Sequence, residues 1–287
     1  MKKIIALLSV VAVFQLSYAQ DFKKVQANAL LNKFELAKEE YDKALTKKPT
    51  LATLPEAYYW KAKIFAGLSK DAAISAKYPD AFVQMQNSIE EYMKGDPTFA
   101  IAKTNGQEPF FDIYFKSFKD GVTSFNEKNW KVASAHFDVA VKYSDIVFTQ
   151  GWATSKQKFD TTSLMYAGYS NQNASNTEAA IVYYKRLVDA NIHSPELVDI
   201  YRFLLLQYIS KKDKESFDKY LKLSQEGYPA ENWVEFKSEF IEKSLNIDQK
   251  IKLFDESNAA GTLTEYELQM FGDMFMAGRN EEGISPA

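Results

Sequence analysis

Residues 121–140 read GVTSFNEKNWKVASAHFDVA, from Gly121 to Ala140. A small residue stands at Ala133, an aromatic four positions later at Phe137 and another small residue three after that at Ala140. Steps of four and three return to one face of a helix. Gly121 stands twelve residues before Ala133, and Trp130 three before it. Two antiparallel helices approach closely only where one presents a small side chain, and the nearby aromatic fills the volume beside it. Gly121 therefore reads as a close-contact position, since glycine inside a helix costs about 1 kcal/mol relative to alanine and needs such a reason.

The same frame recurs along the chain. It is present as Ala37, Tyr41 and Ala44, with Pro49 five residues on, and as Gly168 followed by Ala180, Tyr184 and Leu187. Weaker copies are Ala81, Met85 and Ser88, then Ser216, Tyr220 and Leu223. This pattern resembles the tetratricopeptide repeat, whose second helix carries small, aromatic and small residues at these offsets and whose first helix carries a glycine twelve residues earlier. The resemblance implies an all-α fold, a right-handed stack of antiparallel helix pairs forming an α-solenoid. Successive first small residues stand 44, 52, 47 and 36 positions apart, against a family period of about 34, so the loops between repeats are expected to be long. The repeats are expected over 20–230. Divergent capping helices over 231–278 would close the last apolar face, and 279–287 would form a flexible tail.

Outside these frames apolar residues still recur at three- and four-residue steps, without the alternation or turn punctuation of strands. Pro49, Pro55, Pro79, Pro97, Pro109, Pro195 and Pro229 fall between the periodic segments, where proline is tolerated. Ser194-Pro195-Glu196 reads as a helix start, with a capping hydroxyl, a preset φ and a carboxylate near the positive end of the dipole.

Met1-Lys2-Lys3, the apolar run Ile4–Leu16 and the small residues Ser17 and Ala19 have the three parts of a secretory leader in order. The run is too short for a permanent span, so cleavage between Ala19 and Gln20 is expected. This gives an exported protein of the periplasm or cell envelope of a Gram-negative bacterium, with no transmembrane segment in the mature chain. The chain has no cysteine, which removes disulfides, thiolate nucleophiles and thiolate metal sites. Its formal charge is −3, mildly acidic with mixed signs, and that gives no footprint for nucleic acid or anionic lipid.

The search for chemistry yields little. His136 and His193 are the two histidines, and neither has a partner at ligand spacing. Gly168-Tyr169-Ser170 lacks the second glycine of a nucleophile elbow, and Ser170 reads as a serine near a helix end. Asp255–Glu267 fails as a calcium loop, because Ala259 and Ala260 stand where an oxygen ligand and the turn glycine belong. Glu39-Glu40 and Glu90-Glu91 are adjacent on helices and point about 100° apart, as solvated faces do. Asp160-Thr161-Thr162 resembles a short acceptor motif for O-linked glycans, and Asn173-Ala174-Ser175 reads as a polar loop. No cofactor, metal or catalytic residue is expected, and the chain reads as a binding protein rather than an enzyme.

Aromatic residues make up 15% of the chain. One stripe, Phe115, Phe118, Val122 and Phe125, recurs at steps of three, four and three on the first helix of the best copy, where Ser117, Asp120 and Ser124 take positions usually apolar. In the tetratricopeptide family these offsets face the concave groove. The resemblance extends the groove to Met165 and Tyr169, then to Tyr201 and Tyr208. The same stripe also fits a helix turned by one position, with its rings in the core. The leading expectation is a non-catalytic scaffold binding a protein or peptide. The alternative is a glycan or nutrient-capture module using the aromatic-lined groove.

Overall fold

The computed structural model describes residues 21–70, 72–155 and 157–281, without the side chains of residue 72 and residues 278–281. The expected leader, with Ala19 and Gln20, and residues 282–287 of the expected tail lie outside the described residues. Among the described residues every regular element is helical. Backbone proximity divides the chain into two units with the break between Ser163 and Leu164.

Unit 1 contains α1 (Lys23–Leu30), α2 (Phe34–Lys47), α3 (Pro55–Lys70), the single turn α4 (Ala72–Ser75), α5 (Ala81–Gly95), α6 (Ala100–Asn105), α7 (Glu108–Asn126) and α8 (Trp130–Thr149). Helices α1 and α2, α3 and α5, and α7 and α8 form pairs. The α7/α8 pair is antiparallel: Phe110 at one end meets Tyr143 at 6.2 Å, and Phe125 at the other meets Trp130 at 5.1 Å between ring centroids. In the α3/α5 pair Tyr59 meets Tyr92 at 5.6 Å, and a Cβ on Gly95 would reach Pro55. Pro55 and Pro109 open α3 and α7 within the first turn, where a missing N–H costs nothing.

Unit 2 contains most of α9 (Thr161–Asn173), then α10 (Thr177–Asp189), α11 (Val198–Lys211), α12 (Lys214–Gly227), α13 (Val234–Ser244), α14 (Ile247–Ala259) and α15 (Glu265–Glu281). Helix α15 thus continues into the segment expected as a tail. No helix among the described residues is long and apolar enough to cross a membrane.

The small-aromatic-small frame lies on the second helix of each pair. Ala37, Ala133, Ala180, Phe137, Ala140 and Tyr184 are fully buried, Tyr41 is buried and Ala44 half-buried. A Cβ on Gly121 would stand 2.9 Å from the Phe137 ring, so the glycine is where α8 closes onto α7.

A single turn geometry joins α1 to α2, α7 to α8, α9 to α10 and α11 to α12. Asn32, Lys128, Ser175 and Lys212 are left-handed, with φ of 55°, 59°, 61° and 53°. The next residue in each case, Lys33, Asn129, Asn176 and Asp213, donates its N–H five residues back, to the carbonyls of Asn28, Ser124, Asn171 and Tyr208 at 2.8 to 3.0 Å. This is the bond that closes a helix C-terminus around a left-handed residue. The carbonyls of Lys33, Asn129, Asn176 and Asp213 accept from the N–H groups of Ala37, Ala133, Ala180 and Phe217 at 2.9 to 3.1 Å, so the turn sets which residue of the second helix first faces inward.

That geometry corrects the fifth frame, Ser216, Tyr220 and Leu223. In α12 the matching positions are Phe217, Leu221 and Ser224, all buried, whereas Ser216 and Leu223 are half-exposed. Tyr220 had suggested the earlier register because it too is buried, stacked on Tyr208 with its hydroxyl donating to Asp189. The helix start at Ser194 also differs: Pro195–Leu197 is a 3-10 turn, and the Ser194 side chain makes no cap. The Tyr228 hydroxyl instead accepts from the Ser194 N–H and donates to its carbonyl.

Candidate binding cleft

Helix α3 packs against both α1 and α7, so the first helices of unit 1 share a face. A cleft of about 460 Å3 opens there, between the α1/α2 turn, the second half of α3 and the first turns of α7. Its shape depends on Gly67, whose missing side chain lets the Phe34 ring lie on α3; a Cβ there would stand 2.2 Å from the ring.

Four charged groups line the cleft. Lys63, only 7% exposed, donates to the Asn105 carbonyl and stands 3.4 Å from the Glu108 carboxylate. Lys70 Nζ lies 2.7 Å from Asp112 Oδ1, while Asp112 Oδ2 is buried without a hydrogen-bond partner. Burial pushes the Asp112 carboxyl above its ordinary range, against the pull of the Lys70 ammonium. Glu108, Asp112 and Phe115 are spaced four and three apart and so share a face of α7. The Phe115 ring, 58% exposed, sits 4.7 Å from Tyr114 and 5.9 Å from Phe111. The cleft thus presents two lysine–carboxylate pairs, and the open Phe115 ring lies one helical turn beyond Asp112 on α7. It pairs no nucleophile with a base, and among the described residues no group of three His, Cys, Asp or Glu could hold a metal ion.

Of the groove residues expected on α7, only Phe115 is open. Phe118, Val122 and Phe125 are half-buried, with Phe118 and Phe125 edge-on to Phe137 at 5.7 and 6.5 Å. The buried face of α7 includes Ser117, Gly121 and Ser124. The serines do not leave the core; they are the small residues that admit α8.

In unit 2, Met165 and Tyr169 are half-buried, the Tyr169 hydroxyl donating to the Glu196 carbonyl at 3.0 Å. Tyr201 and Tyr208 are 1% and 5% exposed and do not face a groove. The Tyr201 ring packs 5.0 Å from Tyr228, and Tyr208 stacks on Tyr220 at 5.2 Å. Beside them on α11, Leu206 is 42% exposed and Arg202 half-exposed.

Several of the remaining motifs are tied into the fold. Asp160 accepts from the Tyr114 hydroxyl, the Ser163 hydroxyl and the Thr162 N–H, tying the start of α9. Glu267 accepts from Thr264 at the start of α15 and from Lys237. Ser170 is fully buried, with its hydroxyl unpartnered. His136 is half-buried, and the exposed His193 lies against Tyr201 and Tyr228.

Lys63, Lys70, Glu108 and Asp112 were not expected from the sequence. Their one local signal is the four-residue step from Glu108 to Asp112 leading to Phe115, and nothing in the sequence pairs it with lysines some forty positions earlier. Comparison of the chain with protein families, curated proteins and solved structures returns no match.

Proposed function

We propose that this chain is a non-catalytic interaction scaffold of tetratricopeptide-like helix pairs, exported to the cell envelope by removal of residues 1–19, which holds a protein or peptide segment on the first-helix face of unit 1. The observation that carries this reading is the cleft lined by Lys63, Lys70, Glu108 and Asp112, with the exposed Phe115 ring one helical turn beyond Asp112 on α7. Fixed lysine donors and carboxylate acceptors suit the C=O and N–H groups of an extended chain, and an open ring offers apolar contact at low entropy cost. The recurring turn and the glycine-to-ring contacts support the repeat assignment.

The test is hydrogen–deuterium exchange on the full chain, with a pool of degenerate nonapeptides and, separately, a panel of oligosaccharides. Peptide-dependent protection of residues 29–34, 63–70 and 108–115 is expected, and Phe115→Ala should abolish it. Protection by the oligosaccharides alone would instead favour glycan capture on the Phe111, Tyr114 and Phe115 rings. Protection by neither would overturn the assignment of this face. Intact mass of the exported protein checks the cleavage after Ala19.

A further inference from the structure

Helix α14 has no buried residue along its length, although Ile247, Ile251, Leu253 and Phe254 recur on it at helical steps. An isolated helix of this length is marginal in water and needs a packed apolar face. Leu253 and Phe254 lean on the small core formed by Ile241, Met270 and Phe271, whereas Ile247 and Ile251 remain 41% and 45% exposed. They form one wall of an open groove of about 1400 Å3 between α13, α14 and α15. Opposite them stand Tyr266, 50% exposed, and Met276, 54% exposed, with Met270 and Leu245 between the walls. Methionine's unbranched, polarizable side chain adapts to more than one apolar shape.

The charges around this groove are unbalanced. Glu242 and Asp273 line it, Asp248 and Asp255 flank Ile251 on α14, and Glu265 shares a stripe of α15 with Gln269 and Met276. None of these five carboxylates is in an ion pair, unlike Glu239, Glu256 and Glu267 nearby, which are held by Lys243, Lys252 and Lys237. Lys250 is the one cation among the described lining side chains.

From this geometry we propose that the groove of unit 2 docks an amphipathic helical segment of a partner protein, apolar on one face and basic along its flanks. Apolar residues of α14 and α15 face an open groove, the kind of surface that takes the apolar face of a helix, and the acidic rim selects positive flanks. A second copy of this chain would bring the same acidic rim against itself, and like charges placed together disfavour that pairing. An anionic lipid surface is repelled for the same reason. This surface is separate from the cleft of unit 1, and the proposal does not rest on the reading given to that cleft.

The experiment uses the full chain and fluorophore-labelled 18-residue model peptides of Leu and Lys in helical spacing, with a Leu/Glu counterpart, read by fluorescence anisotropy. The Leu/Lys peptide is expected to bind, with affinity falling as salt rises, and the Leu/Glu peptide at least tenfold more weakly. Ile251→Asp is the decisive variant, because it adds an acid where a groove needs an apolar wall. Groove docking predicts at least tenfold weaker binding of the Leu/Lys peptide, whereas attraction to surface charge alone predicts equal or tighter binding and overturns the proposal. The doubly substituted Glu242→Lys, Asp273→Lys protein should bind the Leu/Lys peptide several-fold more weakly, with helicity unchanged by circular dichroism. Equal binding of both peptides would also overturn it, as would dimers in sedimentation that Ile251→Asp dissociates, or adsorption to phosphatidylserine vesicles that the same variant removes.

Discussion

Gly168 lies directly under the ring of Tyr184, so close that a Cβ on the glycine would stand 2.2 Å from the ring's Cε1. The Tyr184 hydroxyl meanwhile donates to Gln172 Oε1 at 2.7 Å, one helical turn further along α9. The ring is held at both ends of its contact and cannot slide away without giving up that bond.

Gly168→Ala should therefore destabilise the protein by about 1–3 kcal/mol, the usual cost of overpacking, despite alanine's better helix propensity. Gly121→Ala should cost less, because its Cβ would meet Phe137 at 2.9 Å. Gly272→Ala on α15 meets nothing within 4 Å and should stabilise by up to about 1 kcal/mol. Urea unfolding of the three variants checks the order, and a neutral Gly168→Ala would show that the two helices are not in fixed contact.

Lys128 and Lys212 occupy left-handed backbone at φ 59° and 53°, a region that costs a side chain about 1–2 kcal/mol. Lys128→Gly and Lys212→Gly should each stabilise by about 0.5–1 kcal/mol, less than the full strain because glycine also gains freedom in the unfolded chain. Thermal melts measure this, and a lower Tm in both variants would contradict the turn geometry.

Two neighbouring members of the α7 aromatic stripe should behave differently. Phe118→Ala removes a ring packed at 5.7 Å against Phe137 and should cost about 2 kcal/mol or more. Phe115→Ala should change stability by less than about 0.5 kcal/mol, as exposed positions do, while removing peptide-dependent protection of the cleft. Chemical denaturation and hydrogen exchange on the same two variants separate a wall residue from a contact residue.

Acid should weaken the fold through two carboxylates. Burial raises the Asp96 carboxyl, but the Ile101 N–H, the Tyr92 hydroxyl, the Thr98 hydroxyl and the Ala100 N–H together outweigh it and hold it below its ordinary range. Glu267 is lowered in the same way by Lys237 and Thr264, again against burial. A depressed carboxyl contributes stability that is complete above its unfolded pKa, about 3.9 for Asp and 4.3 for Glu, and is lost as pH falls through the folded value. Asp96→Asn and Glu267→Gln should thus be less stable than wild type at pH 7 and show a shallower decline below about pH 4, by Tm against pH. A decline as steep as that of wild type would remove these groups from the acid response.

The helix pairs were legible because their contacts are local: Gly121 and Phe137, or Gly168 and Tyr184, are joined through one short turn, and a fixed offset in sequence becomes a fixed neighbour in space. Where two rings are both buried on one helix the pattern loses a residue of register, as Tyr220 and Phe217 on α12 demonstrate. The charged cleft was not legible for the opposite reason. Lys63 and Lys70 meet Glu108 and Asp112 only because α4, α5 and α6 fold between them, and charged residues on separate helices look alike in sequence whether or not they converge.

The four turns closed around Asn32, Lys128, Ser175 and Lys212 leave their residues almost free in identity, since lysine, serine and asparagine all serve there. Their length has no such latitude. One inserted amino acid would swing the following rod by about 100°, carrying Ala133 or Ala180 from the seam to the outside. These joints work as spacers of set count, so tags and fusions tolerated elsewhere on the surface should be rejected there.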